Sequence, residues 1–222
     1  MTEQEWLAAD RVYDLTHHKG SRNDRKRRFL GCACARRVLR FLSDARLTRA
    51  VEASERLADG EVDWHYVKQV RRVVAVCRRE LQASRCPEYV WYASLAVETA
   101  TAKDSLSAAH AVEPAQYASA AFARPEWDVG RDAENHEQVK LARDIFGNPF
   151  RAVVFDPSWR TSTAVGLART MYDARDFGAM PVLADALEEA GCDTPDVLAH
   201  CRDPDGVHVR GCWVVDLVLG KS

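Results

Sequence analysis

None of the eight prolines in this 222-residue chain occurs before Pro87, and the last is Pro204. Proline removes a backbone donor and clashes with the preceding turn, so residues 1–86 are free of the strongest helix breaker. The apolar spacing in that stretch is helical throughout. Thr2, with Glu5 three residues on, is a capping box opening a helix to about Leu15. A basic linker, His17 to Asn23, leads to a helix over Asp24–Leu42, where Leu30, Cys34, Val38 and Leu42 recur every fourth residue. A third helix spans Asp44–Ala58 with Asp59-Gly60 as its stop, and a fourth spans Val62–Ala83 with Val67, Val70, Val74, Cys77 and Leu81 on one face.

Beyond Pro87 the helical pattern continues through Trp91 and Leu95 to about His110, then meets Pro114, Pro125 and Gly130. The segment 113–131 therefore reads as an irregular connection. A helix over Asp132–Phe146 stops at Gly147, and Ala152–Phe155 is one short extended segment, too small to build a sheet. Asp156-Pro157, Thr161, Pro181 and Thr194-Pro195 signal helix starts, with Gly191 as a stop and a last helix over Gly211–Leu219 carrying Trp213, Leu217 and Gly220 on one face. The expected fold is all-α, a multi-helix bundle or stacked helical hairpins. Its expected division is a basic N-terminal part (1–112), the connection (113–131) and a C-terminal part (132–222), or one continuous domain.

Apolar residues make up 47% and charged residues 29% of the chain, proportions of a folded protein rather than a disordered one. No apolar run approaches the length of a membrane span, and the acidic start from Met1 to Trp6 is unlike a signal peptide. A cytoplasmic protein with reduced cysteines is expected, since the seven cysteines are odd in number and irregularly placed. Net charge is −2, yet residues 1–111 carry 20 basic against 15 acidic side chains and residues 112–222 carry 11 against 18. Any polyanion binding must then be local.

Four blocks stand out in the C-terminal third: Arg143-Asp144-Ile145-Phe146-Gly147-Asn148-Pro149-Phe150-Arg151, Leu183 through Cys192, His200-Cys201-Arg202, and His208-Val209-Arg210-Gly211-Cys212-Trp213-Val214-Val215-Asp216. Together with Glu5-Trp6-Leu7 and Asp24 through Arg37, they resemble a large group of uncharacterised bacterial proteins found as many paralogues in one genome. The resemblance covers about two thirds of the chain. It implies no activity, so it carries over no catalytic residue.

Two constellations could carry chemistry. Cys192, His200, Cys201, His208 and Cys212 are zinc-type donors, and Cys201, His208 and Cys212 are the candidate ligands. The alternative is that each cysteine is buried on its own short helix and the histidines cap turns. Cys212 at a helix start, with His208 as base, would suit a nucleophile, and the same terminus with His208, Arg210 and Gly211 would suit an anion. The second constellation is the basic tract from Lys19 to Arg40, nine positive residues against Asp24 alone. Lys19, Arg22, Arg25, Lys26, Arg28 and Arg36 would neutralise phosphates of a nucleic acid. Its alternative is pairing with the acidic half of the chain or of a dimer partner.

No glycine-rich phosphate loop or other catalytic motif is present, so the leading expectation is a non-enzymatic helical module for a protein partner, including a second copy of itself. A nucleic-acid-associated module is the next reading. A zinc- or thiol-dependent enzyme is the third; otherwise no cofactor is expected.

Overall fold

The structure, a computed structural model, describes residues 1–221. It is all-α, with no strand among the described residues. The helices are α1 (Glu3–Ala8), α2 (Val12–His17), α3 (Asp24–Val38), α4 (Ala45–Ala58), α5 (Trp64–Ala83), α6 (Glu88–Ala100), α7 (Ser105–Ala109), α8 (Val112–Phe122), α9 (Trp127–Phe146), α10 (Ser162–Ala174), α11 (Met180–Glu189), α12 (Pro195–Arg202) and α13 (Trp213–Leu219). Two compact units divide the chain, Met1–Ala142 and Arg143–Ser222. No helix among the described residues is long and apolar enough to cross a membrane.

In the first unit α3 is the central element, packed against α4, α6, α7 and α8. Its middle, Arg28 through Ala35, is buried at every position, as required of a helix enclosed on all sides. Small residues make that possible. Cys32 and Ala35 join Leu47, Ala50, Val51, Val74, Cys77, Val97, Ala100 and Ala111 in one core shared by α3 to α6 and the approach to α8. At Gly31 the fit is closest, since a Cβ there would lie 2.1 Å from the carbonyl oxygen of Ala108 on α7.

The capping box at Thr2 forms, with the Glu5 N–H donating to Thr2 Oγ1 at 3.2 Å and the Thr2 N–H donating to Glu5 at 2.7 Å. The helix it opens is shorter than expected. The chain leaves the helix at Ala9 and re-enters at Val12, because Asn135 of α9 holds both sides of the break: its Nδ2 donates to the Asp10 carbonyl (2.6 Å) and its Oδ1 accepts from the Val12 N–H (3.2 Å). A second correction concerns 113–131, which is not irregular but contains most of α8 and the start of α9. Pro114 sits in the first turn of α8, where a missing N–H costs nothing, and Pro125 stands just ahead of α9. The units part after Ala142, not at 113–131.

In the second unit α10 packs on α11 and α13, and α12 packs on α11 and α13. Asp156 caps a short turn at Pro157–Trp159 and Thr161 caps α10 through the Ala164 N–H at 3.2 Å. Ala152–Phe155 pairs with nothing as a strand, and Val154 faces solvent at 86% exposure instead of packing on helices. The face of α13 that packs is Val214, Val215 and Val218.

Glycine substitutions test this packing. Ala at an exposed helical glycine gains about 1 kcal/mol from propensity, whereas overpacking a core costs about 1–3 kcal/mol. Gly31→Ala meets backbone that no rotamer change can move aside, so a net loss of about 1–2 kcal/mol is expected in urea denaturation. Gly166→Ala on α10, where an added Cβ meets nothing within 4 Å, should raise stability by up to about 1 kcal/mol.

Candidate metal centre

The C-terminal unit gathers four donor side chains from four short stretches of sequence. Asp144 lies in the last turn of α9, His200 near the end of α12, His208 in the following loop, and Cys212 at the N-cap of α13. Two tight turns fold that loop back on itself. In the first, the Gly206 N–H donates to the Asp203 carbonyl (3.1 Å) while Asp203 Oδ1 accepts from the Asp205 N–H (3.0 Å), with Pro204 at the position whose fixed φ suits the turn. In the second, the Cys212 N–H donates to the Val209 carbonyl at 2.9 Å, and Gly211 takes φ +92°, the left-handed value that its place in a type II turn requires. The second turn returns Cys212 to the neighbourhood of His208.

α9 is ended by Gly147 at φ +66°, and a Cβ there would lie 3.1 Å from the indole of Trp213. Trp213 in turn packs on the His200 ring at 5.1 Å, and His200 meets His208 edge-on at 4.8 Å. The two imidazoles are thus held by ring packing as well as by hydrogen bonds.

The donor atoms converge. His208 Nδ1 is 2.9 Å from Asp144 Oδ1, His200 Nε2 is 3.2 Å from the same oxygen, and His200 Nε2 is 3.2 Å from Cys212 Sγ. All four atoms lie within 4.8 Å of one another. The Val209 N–H holds the other carboxylate oxygen at 3.0 Å. The Asp144 and His208 side chains are 2% and 7% exposed, His200 is 19% exposed, and Cys212 is fully buried.

This is not the layout of a cysteine–histidine–aspartate triad. In a triad the acid holds one imidazole nitrogen while the other nitrogen faces the nucleophile. Here Asp144 and Cys212 approach the same nitrogen, Nε2 of His200, which carries at most one proton and cannot serve both. Burial and the neighbouring Asp144 carboxylate push the Cys212 thiol well above its ordinary value, the opposite of nucleophile activation. For Asp144 burial acts upward, but hydrogen bonds and charge from His200 and His208 outweigh it and hold the carboxyl below its ordinary value.

Of the ligands expected from sequence, His208 and Cys212 belong to this cluster and Cys201 does not. Cys201 is buried, and burial raises its thiol to about 12. Adjacent residues on a helix point about 100° apart, so His200 and Cys201 cannot both face the centre squarely. Asp144 was missed. Its signal was an acid on the apolar stripe of α9, three residues after Leu141 and beside Ile145, both buried. Arg210, expected to receive an anion with His208 and Gly211, stacks over the Tyr172 ring at 4.4 Å, and α13 has only seven residues.

Part of the basic tract is used inside the first unit. Arg25 pairs with Asp59 at 3.0 Å and Arg36 with Glu55. Arg28 is buried and donates to the carbonyls of Ala102 (2.8 Å) and Lys103 (2.7 Å). Lys19 and Arg22 are exposed and Lys26 is half-buried. A second group of donors, Asp44, Cys77 and Glu80, surrounds the Arg46 guanidinium, which lies 2.7 Å from Asp44 and 2.5 Å from Glu80 and already supplies the positive charge.

No protein-family model, curated protein or solved structure matches this chain.

The support beneath the centre can be probed at Gly147. Ala in the left-handed region costs roughly 1–2 kcal/mol, and its Cβ would also press on Trp213. Gly147→Ala should therefore lower the stability of the protein by about 1–2 kcal/mol in urea denaturation.

Proposed function

We propose that this chain is a non-enzymatic helical module whose C-terminal unit is organised by one zinc ion bound to Asp144, His200, His208 and Cys212. The observation that carries the reading is the convergence of a carboxylate oxygen, two imidazole nitrogens and a sulfur within 4.8 Å. Zinc with such ligands stands about 2.0–2.3 Å from each donor in a tetrahedron, and donors so placed are about 3.3–3.8 Å apart. The contacts of 2.9 and 3.2 Å need only small outward shifts to reach that spacing.

The donor set selects the ion. A thiolate and two imidazoles favour zinc and its neighbours over magnesium or calcium, which prefer oxygen alone. Charge also balances, because a divalent ion with one carboxylate and one thiolate is neutral overall. Four protein ligands leave no open position for water or substrate, which supports a structural rather than a catalytic ion. Such an ion would hold the short helices α12 and α13 to the end of α9, fixing the surface offered to a partner protein.

Elemental analysis of protein purified without chelator, combined with competition against a chromogenic chelator, tests this. About one zinc per chain is expected. His208→Ala and Cys212→Ser should each weaken binding by at least about 100-fold, since each removes a ligand outright. Cys201→Ser should leave affinity unchanged. Sub-stoichiometric metal in the wild-type protein after loading and desalting would overturn the proposal, as would loss of the ion in Cys201→Ser but not in Cys212→Ser.

A further inference from the structure

The first unit contains a cavity of about 880 Å³ bordered by α2, α7, α8 and α9, within the size range of small-molecule sites. Its lining includes Tyr13, His17, Glu113, Gln116, Tyr117 and Asn135. Three features set it apart from a packing gap. The N-terminal helix, continuous by its sequence pattern, is broken here, and the Asp10 carbonyl and the Val12 N–H are held by the Asn135 amide. Gln116, also lining the cavity, donates to Asn135 (3.3 Å) and to the fully buried Gln138 (2.8 Å). Gln138 in turn donates to the Val112 carbonyl (3.1 Å), and the buried Glu134 beyond it is met by Arg37 and Ser119. Hydrogen-bonded side chains of this kind cost more to bury than an apolar core would, and they fix the floor of a site in place.

The lining also has a definite chemistry. Tyr13 lies stacked on His17 at 3.8 Å, and Tyr117 donates its hydroxyl to Glu113 at 2.8 Å. The lining carries the acids Asp10, Glu113 and Asp132 and the bases Arg11 and Arg131 beside three histidines, and Arg131 is already paired with Asp128 and Asp132 at 3.3 and 3.1 Å. Tyrosine faces beside surplus carboxylate recognise organic cations, through ring quadrupole and charge together. We propose that this cavity binds a small ring-bearing organic cation, the ammonium taken by the carboxylates and the ring by the tyrosines. This site is separate from the zinc reading and stands or falls without it.

Two probes of the same ring and opposite charge decide the matter. Full-length protein is titrated with tryptamine and, in parallel, with indole-3-acetate, followed by NMR and calorimetry. Saturable tryptamine binding is expected, with indole-3-acetate at least about 10-fold weaker, a difference of about 1.4 kcal/mol. The double variant Asp10→Asn with Glu113→Gln, both exposed side chains, should reduce tryptamine affinity several-fold while leaving the fold intact by circular dichroism. Asn135→Ala, if it folds, should abolish binding. Absence of saturable tryptamine binding, equal affinity for the two probes, or full affinity in the double variant would overturn the proposal.

Discussion

A carboxylate withdrawn from water must be met by positive charge or by several donors, because leaving it bare costs several kcal/mol. That requirement shapes both units. In the first, Glu55, Asp59 and Glu134, with side chains 3%, 1% and 2% exposed, are met by Arg36, Arg25 and Arg37. In the second, Asp144 is equally buried, and the groups that meet it are two imidazoles and a backbone N–H. Guanidinium groups are always charged and match carboxylates in fixed forks, so the first solution is complete in itself. Imidazoles are not always charged, so the second solution depends on their hydrogen bonds and on the backbone N–H.

The same requirement explains why part of the basic tract is turned inward. Arg25, Arg28 and Arg36 lie on α3, the most enclosed helix of the first unit, and their charges are used to bind α4 and the end of α6 to it. Arg28 shows the principle without an acid. Its guanidinium donates to the carbonyls of Ala102 and Lys103, just past the C-terminus of α6, where helix carbonyls lack partners and the helix dipole is negative. A count of charges along the chain reads such residues as surface. Only the packing reveals them as internal ties.

Much of the fold was legible because helix ends are local. Gly60, Gly147 and Gly191 were readable as stops, and they take φ of +71°, +66° and +90°. The Thr2 box and the starts at Thr161, Pro181 and Pro195 depend on side chains within a few residues of the backbone they cap. What failed was non-local. The break at Ala9–Arg11 depends on Asn135, more than a hundred residues away, and no periodicity within the first fifteen residues contains it. Prolines 114 and 125 were read as breakers because their register relative to the helix starts is invisible until the helices are placed. For the candidate metal centre, His208 and Cys212 were visible as donors close in sequence. Asp144 was not, since it lies 64 residues before His208 and joins it only through the turn at Gly147 and the folding of the loop after α12.

The features that silence Cys212 as a nucleophile are the ones that suit it to an ion. Burial with a nearby carboxylate favours the protonated thiol. A divalent ion bound there would be the largest local charge, and it would favour the thiolate of Cys212 and give Asp144 a counter-charge. His200 Nε2, which faces the Asp144 oxygen and the Cys212 sulfur at 3.2 Å each, would be one of its ligands. Two negative groups and two neutral imidazoles around one divalent ion would leave no net charge in the core. Four converging donors that make an ordinary hydrogen-bond network would then also be balanced as a coordination sphere.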